Sequence, residues 1–106
     1  MLTFKADYDR GGHPSWWLTS SNGEEVGWAG QSFASLSSAK RAAESFKAGA
    51  ATARYEVYKD TGGHYRWRAW RSSDKVASSG ESFYSEFNAK RAAENVRVNA
   101  RTAVGP

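Results

Sequence analysis

Two hydrophobic patterns take turns along this chain. In Phe4-Lys5-Ala6-Asp7-Tyr8 and Tyr55-Glu56-Val57-Tyr58 apolar and polar positions alternate, the period-two signature of a half-buried strand. Gly11-Gly12 and Gly62-Gly63 follow, and glycine supplies the positive φ that a tight hairpin turn demands. Second strands are predicted over Ser15–Thr19 and Tyr65–Trp70. Turns at Ser21-Asn22-Gly23 and Ser72-Ser73-Asp74 lead to third strands around Val26–Trp28 and Val76–Ser78. The period then changes. Ala39, Ala42, Ala43 and Phe46 fall at i, i+3, i+4 and i+7, as do Ala89, Ala92, Ala93 and Val96, which is one face of an amphipathic helix. The pattern predicts helices from Ser35 to about Lys47 and from Ser85 to about Val98. The two serines are suited to N-caps, because a Ser hydroxyl accepts an unpaired first-turn N–H.

The two runs are copies of one another. Ala39-Lys40-Arg41-Ala42-Ala43-Glu44 recurs unchanged as Ala89-Lys90-Arg91-Ala92-Ala93-Glu94, and Gly30, Ser32, Phe33 and Ser35 recur as Gly80, Ser82, Phe83 and Ser85. Upstream, Asp9, Gly11, Gly12, His13 and Trp16 recur as Asp60, Gly62, Gly63, His64 and Trp67, with the spacing one residue longer. The slip falls at Asn22-Gly23, a turn, where insertions are tolerated. The chain is therefore expected to be a tandem duplication, with one repeat over residues 1–53 and the other over 54–106. A unit of that size buries too little apolar surface to stand alone. The expectation is one α+β domain over 1–106: two β-β-β-α units sharing one antiparallel sheet, with both helices on one face and a pseudo-twofold relation. Trp16 and Trp67 are expected to pack under the Ala-rich helices.

The segments Tyr55-Glu56-Val57-Tyr58-Lys59-Asp60, Gly63-His64-Tyr65-Arg66-Trp67-Arg68, Gly80-Glu81-Ser82-Phe83 and Ala93-Glu94-Asn95-Val96-Arg97-Val98-Asn99-Ala100 resemble the YegP-like family of small domains of uncharacterised function. The resemblance covers essentially the whole chain and is closer in the second repeat. It implies two β-β-β-α-β units joined in one sheet with their short C-terminal strands exchanged, for which Thr52-Ala53-Arg54 and Thr102-Ala103-Val104 are the candidates. The first repeat departs from the pattern: Trp17 and Pro14 stand at the positions of Arg68 and Tyr65. The resemblance implies no enzyme activity.

Composition narrows the chemistry. The 106 residues contain no Cys, which removes disulfides, thiolate zinc sites and Cys nucleophiles. The first residues do not form a signal peptide and no apolar stretch is long enough for a membrane span, so a cytoplasmic chain without a membrane partner is expected. His13 and His64 lie in equivalent turns with no further ligand at metal spacing, and their copying by duplication explains them without a metal. No Gly-x-Ser-x-Gly or phosphate loop is present. The expectation is no enzyme, no metal and no cofactor.

Binding is better supported. Strand alternation places Tyr65, Trp67 and Ala69 on one face and Arg66, Arg68 and Trp70 on the other, with Arg71 at the strand's end; Trp17 is the outward position of the first repeat. Arg and Trp grip phosphates and stack on bases. The formal charge is +4, and all of it lies in the second repeat, because residues 1–53 balance five basic against five acidic side chains. Arg66, Arg68, Trp70 and Arg71, with Trp17 secondary, are thus the candidate contacts of a small binding module. Its partner is either anionic, a nucleic acid above all, or a protein, including a second copy of the chain. The chain is expected to be a monomer by duplication or a weak homodimer.

Overall fold

The computed structural model describes residues 1–106. Three strands, β1 (Thr3–Tyr8), β2 (Pro14–Thr19) and β3 (Glu25–Trp28), precede helix α1 (Leu36–Gly49); β4 (Arg54–Lys59), β5 (Tyr65–Arg71) and β6 (Asp74–Ser78) precede helix α2 (Glu86–Asn99). All six strands form one sheet in the order β1-β2-β3-β6-β5-β4, and every neighbouring pair is antiparallel. The order reads the same from either edge. Each meander leaves its third strand with a free edge, and β3 and β6 satisfy one another at the centre, where Trp28 pairs with Ser78. Both helices cover the same face and make the single cluster of buried residues against it.

Local chemistry explains the elements. Gly12 and Gly63 take the positive φ of the hairpins. The preceding Asp9 and Asp60 carboxylates accept the N–H groups of Gly11 and His13, and of Gly62 and His64, at 2.9 Å each. Ser35 and Ser85 cap their helices by accepting the N–H of Ser38 (3.0 Å) and Asn88 (3.1 Å). Ala39, Ala43 and Phe46 of α1 and Ala89, Ala93 and Val96 of α2 are buried. Small residues on the helices leave room for large ones on the sheet. Trp16, 1% exposed, stacks on Phe46 at 5.2 Å and meets Phe4 edge-on at 5.5 Å; Trp67, fully buried, lies 5.7 Å from Tyr55.

The exchanged C-terminal strands are half present. After a single 3-10 turn (Ala100–Thr102), Val104 pairs in parallel with Thr3 of β1, so the end of the second repeat does reach the first. Thr52 and Ala53 form no such strand, and Arg54 is already the first residue of β4. The reason is reach: the turn leaving α1 runs directly into β4, and no chain is left over to cross the sheet.

Candidate interaction face of the sheet

With both helices on one face, the other face of the sheet is left without a covering layer. Residues directly opposite in antiparallel strands share a face, and the pairings Lys5 with Trp17, Trp17 with Trp28, Trp28 with Ser78, Ser78 with Arg68, and Arg68 with Glu56 run unbroken across all six strands. Arg54 pairs with Trp70 on the same face, and Tyr58 pairs with Arg66. Trp17, Trp28 and Trp70 are all partly exposed.

The arginines on this face are engaged. Arg68 Nε donates to Glu56 Oε1 at 2.7 Å, and its guanidinium lies 4.2 Å from the Tyr58 ring centroid and 5.5 Å from that of Trp70. The same Glu56 oxygen accepts the Trp70 indole N–H at 3.0 Å, and Arg54 lies 5.7 Å from the Trp70 centroid. Arg66 Nε donates to Asp60 Oδ2 at 3.0 Å. The bond from Arg68, and then that from Trp70, holds the Glu56 carboxyl below the usual range and raises Arg68 in turn. At Asp60 the His64 backbone N–H comes first and Arg66 second, again lowering the carboxyl. Both carboxylates stay ionised at neutral pH, and their contribution is lost only as pH falls through those depressed values.

The sequence-predicted set is therefore only partly brought together. Arg66, Arg68, Trp70 and Trp17 share the open face. Arg71 does not: its guanidinium donates to Ser45 Oγ (2.9 Å) and Ser45 O (3.0 Å) on α1, where it lines a groove of about 540 Å³ with Lys75, Asp74, Gln31 and Phe33. Alternation one step beyond Trp70 turns it to the helix side. Trp28, placed in the third strand by the sequence but not among the contacts, belongs to the face. Counting alternately from Val26 would turn Trp28 toward the core, but the register shifts between Leu18 and Thr19. That bulge inserts one residue and resets the parity. No residue type marks it, because the matching shift between β5 and β6 falls beside Ala77.

One carboxylate beside this face is unfavourable. Glu25 on β3 is half-buried, and its carboxylate and Trp28 both lie against Gly80, so that a Cβ on Gly80 would run into them. Burial, and then the nearby Glu81, raises its pKa. An acid with a raised folded-state pKa contributes its stability below the unfolded value, about 4.3, and loses it as pH rises through the folded value. Glu25→Gln is expected to raise the melting temperature at pH 7, with the gain vanishing below about pH 4. Thermal unfolding at both pH values checks this, and an equal gain at both would contradict it.

No helix is long and apolar enough to cross a membrane. Comparison with known proteins bears on the fold. The family model for a domain of unknown function, DUF1508, matches residues 9–56, which places the match on the first repeat and not on the second, where the resemblance reads closer. None of the curated proteins matches the chain in sequence. The solution structure of the protein of unknown function YegP from E. coli superposes with a TM-score of 0.80 at 16% identity, covering 97% of this chain and 89% of that one. A UPF0339 protein from Shewanella oneidensis superposes with a TM-score of 0.80 at 15% identity, covering 98% and 89%. At these identities the likeness is one of fold. The chain thus has the YegP-like fold over nearly its whole length, and residues 9–56 match the DUF1508 family model, in agreement with the resemblance read from the sequence.

Proposed function

We propose that the chain is a non-enzymatic binding module whose contact surface is the helix-free face of its sheet, and that the surface it matches best is the same face of a second copy. The observation that carries this reading is the cross-strand row itself. Its ends are opposite charges, Lys5 and Glu56, and its middle is Trp17, Trp28, Ser78 and Arg68. Turned about a twofold axis through the centre, the row sets Lys5 against Glu56, Trp17 against Arg68 and Trp28 against Ser78. Closed twofold contacts require such self-complementarity, and a Trp–Arg contact is favourable when desolvated. A polyanion is the weaker fit, because the central arginines of the face, Arg66 and Arg68, already serve Asp60 and Glu56.

Light scattering across a concentration series tests the reading. A mass that rises toward twice the monomer's is expected, lost in Trp28→Ala and weakened by Lys5→Glu, with far-UV circular dichroism unchanged. A strict monomer at millimolar concentration overturns it. So does tight oligonucleotide binding that falls steeply between about 50 and 200 mM salt, which would return the face to nucleic acid.

A further inference from the structure

The two outer edges of the sheet are counterparts, yet only one is covered. Along β1 lies the chain's own end, Ala103–Pro106. Phe4 N–H donates to Val104 O at 2.8 Å and Val104 N–H donates to Leu2 O at 2.9 Å. Lys47 of α1 donates to Gly105 O at 2.7 Å. Gly105, with φ +76°, lies so close that a Cβ would stand 2.7 Å from the Phe4 carbonyl oxygen. Beneath this strap Leu2 and Phe4 are 7% and 3% exposed.

At the β4 edge the corresponding residues are present without the strap. Ala53, Tyr55 and Val57 stand for Leu2, Phe4 and Ala6, and Lys90, Ala93, Glu94 and Arg97 stand for Lys40, Ala43, Glu44 and Lys47. The register is the same: Tyr55 faces Ala69 as Phe4 faces Leu18. The outer N–H of Tyr55 therefore points away from β5, as that of Phe4 points away from β2. The segment that would cover this edge is spent on the turn into β4. In its place is a groove of about 250 Å³ lined by Tyr55, Val57, Lys90, Ala93, Glu94 and Arg97. Its floor is firm, because the Tyr55 hydroxyl donates to Ala50 O at 2.8 Å.

We propose that the groove between β4 and α2 binds an extended peptide segment of another protein, laid parallel to β4, in which a small or β-branched apolar residue precedes Gly-Pro. The strap on β1 is the template for its chemistry. The apolar residue's carbonyl accepts the Tyr55 N–H and its own N–H donates to Ala53 O, as Val104 does with Phe4 and Leu2. Arg97 replaces Lys47 as donor to the next carbonyl; its bond to Glu94 at 2.9 Å fixes it beside the groove, and a guanidinium has donors to spare. Strand addition of this kind draws affinity from main-chain bonds and selectivity from side-chain pockets. Arg54 and Lys59 at the two ends of β4 oppose open-ended sheet stacking, which suits a short peptide. The chain's own end is an unsuitable occupant in trans, since it would have to abandon an equivalent groove on β1.

The test is a titration of the ¹⁵N-labelled full chain with the free peptide Arg-Thr-Ala-Val-Gly-Pro, followed by amide shifts. Saturable changes are expected at residues 53–57 and 90–97, with slowed hydrogen exchange at the Tyr55 amide. A peptide with proline in place of valine, which lacks the N–H, is expected not to bind. Arg97→Ala, a partly exposed position, should weaken binding about three- to tenfold while the rest of the spectrum stays in place. Ala93→Arg, which fills the groove, should abolish it. Silence at millimolar peptide overturns the proposal. So do changes confined to β1 and α1, which would mean displacement of the strap, or concentration-dependent changes at β4 without peptide, which would mean a second copy's own end.

Discussion

Trp16→Ala is expected to remove about 3–5 kcal/mol of folding free energy, the usual cost of truncating a buried Trp. The side chain is 1% exposed, stacked on Phe46 and edge-on to Phe4, and helix and strand are both anchored through it, so the cavity cannot close by a side-chain shift alone. Domains of this size hold about 5–15 kcal/mol in total, so the variant stands near the limit of folding. The melting temperature should fall by about 15 °C or more. Urea unfolding with an unchanged slope measures it, and a loss below about 1 kcal/mol would show that the stack carries little. Conversion to Phe separates the two repeats. Trp67 is fully buried and its indole N–H has no hydrogen-bond partner, which costs about 1–3 kcal/mol. Trp67→Phe removes that unpaired donor along with the lost volume, and should cost less than Trp16→Phe.

Gly27→Val is expected to destabilise by about 2–3 kcal/mol, at the upper end of overpacking. Gly27 is on β3, yet a Cβ there would stand 3.2 Å from Cη2 and 3.4 Å from Cζ2 of Trp67, and 3.5 Å from Ser78 O. The Trp67 ring thus reaches from the second repeat under a strand of the first. A single methyl fits at the edge of contact, and glycine's backbone entropy cost of about 0.5–1 kcal/mol in a strand is relieved, so Gly27→Ala should be nearly neutral. Two branched methyls must displace the ring. In the double variant Gly27→Val with Trp67→Phe the losses should fall short of additive by about 0.5 kcal/mol or more, the mark of residues in contact. Strict additivity in denaturant unfolding would argue that the ring does not meet this strand.

The counterpart of Gly27 in the second repeat is Ala77, that of Leu18 is Ala69, and that of Phe46 is Val96. The core is symmetric in its Trp pair and asymmetric around it. Leu18 and Phe46 give way to the smaller Ala69 and Val96 in the second repeat, whereas Gly27 and Ala6 give way to the larger Ala77 and Val57. Equal elements are thus held by unequal packing. For this reason Trp16 and Trp67, though copies, are expected to respond differently to the same substitution.

Several features were legible from residues alone because they are set by contacts a few positions apart. Alternation in Phe4–Tyr8 and Tyr55–Tyr58, the paired glycines after Asp9 and Asp60, the Ser35 and Ser85 caps, and the alanine spacing of α1 and α2 are all local physics, and each stands where the pattern puts it. The inward placement of Trp16 and Trp67 also follows, because a strand facing an alanine-rich helix needs bulk on that side. The open-face residues Arg66, Arg68 and Trp70 were legible by the same alternation.

What only the tertiary structure decided depends on partners distant in the chain. That β3 meets β6, setting Trp28 beside Ser78, is fixed by which free edges find each other. The bulge that turns Trp28 outward exists only in the pairing of β2 with β3. The commitment of Arg68 to Glu56 and of Arg71 to Ser45 rests on neighbours 12 and 26 residues away, and the carboxylates of Glu56 and Asp60 offset the charges of Arg68 and Arg66. The covering of one sheet edge by Ala103–Pro106 and the baring of the other come from connectivity, since the segment after α2 turns back along β1 whereas the segment after α1 runs straight into β4. Local sequence determined the elements and their faces. The long-range pairings, which no short stretch encodes, decided what those faces present.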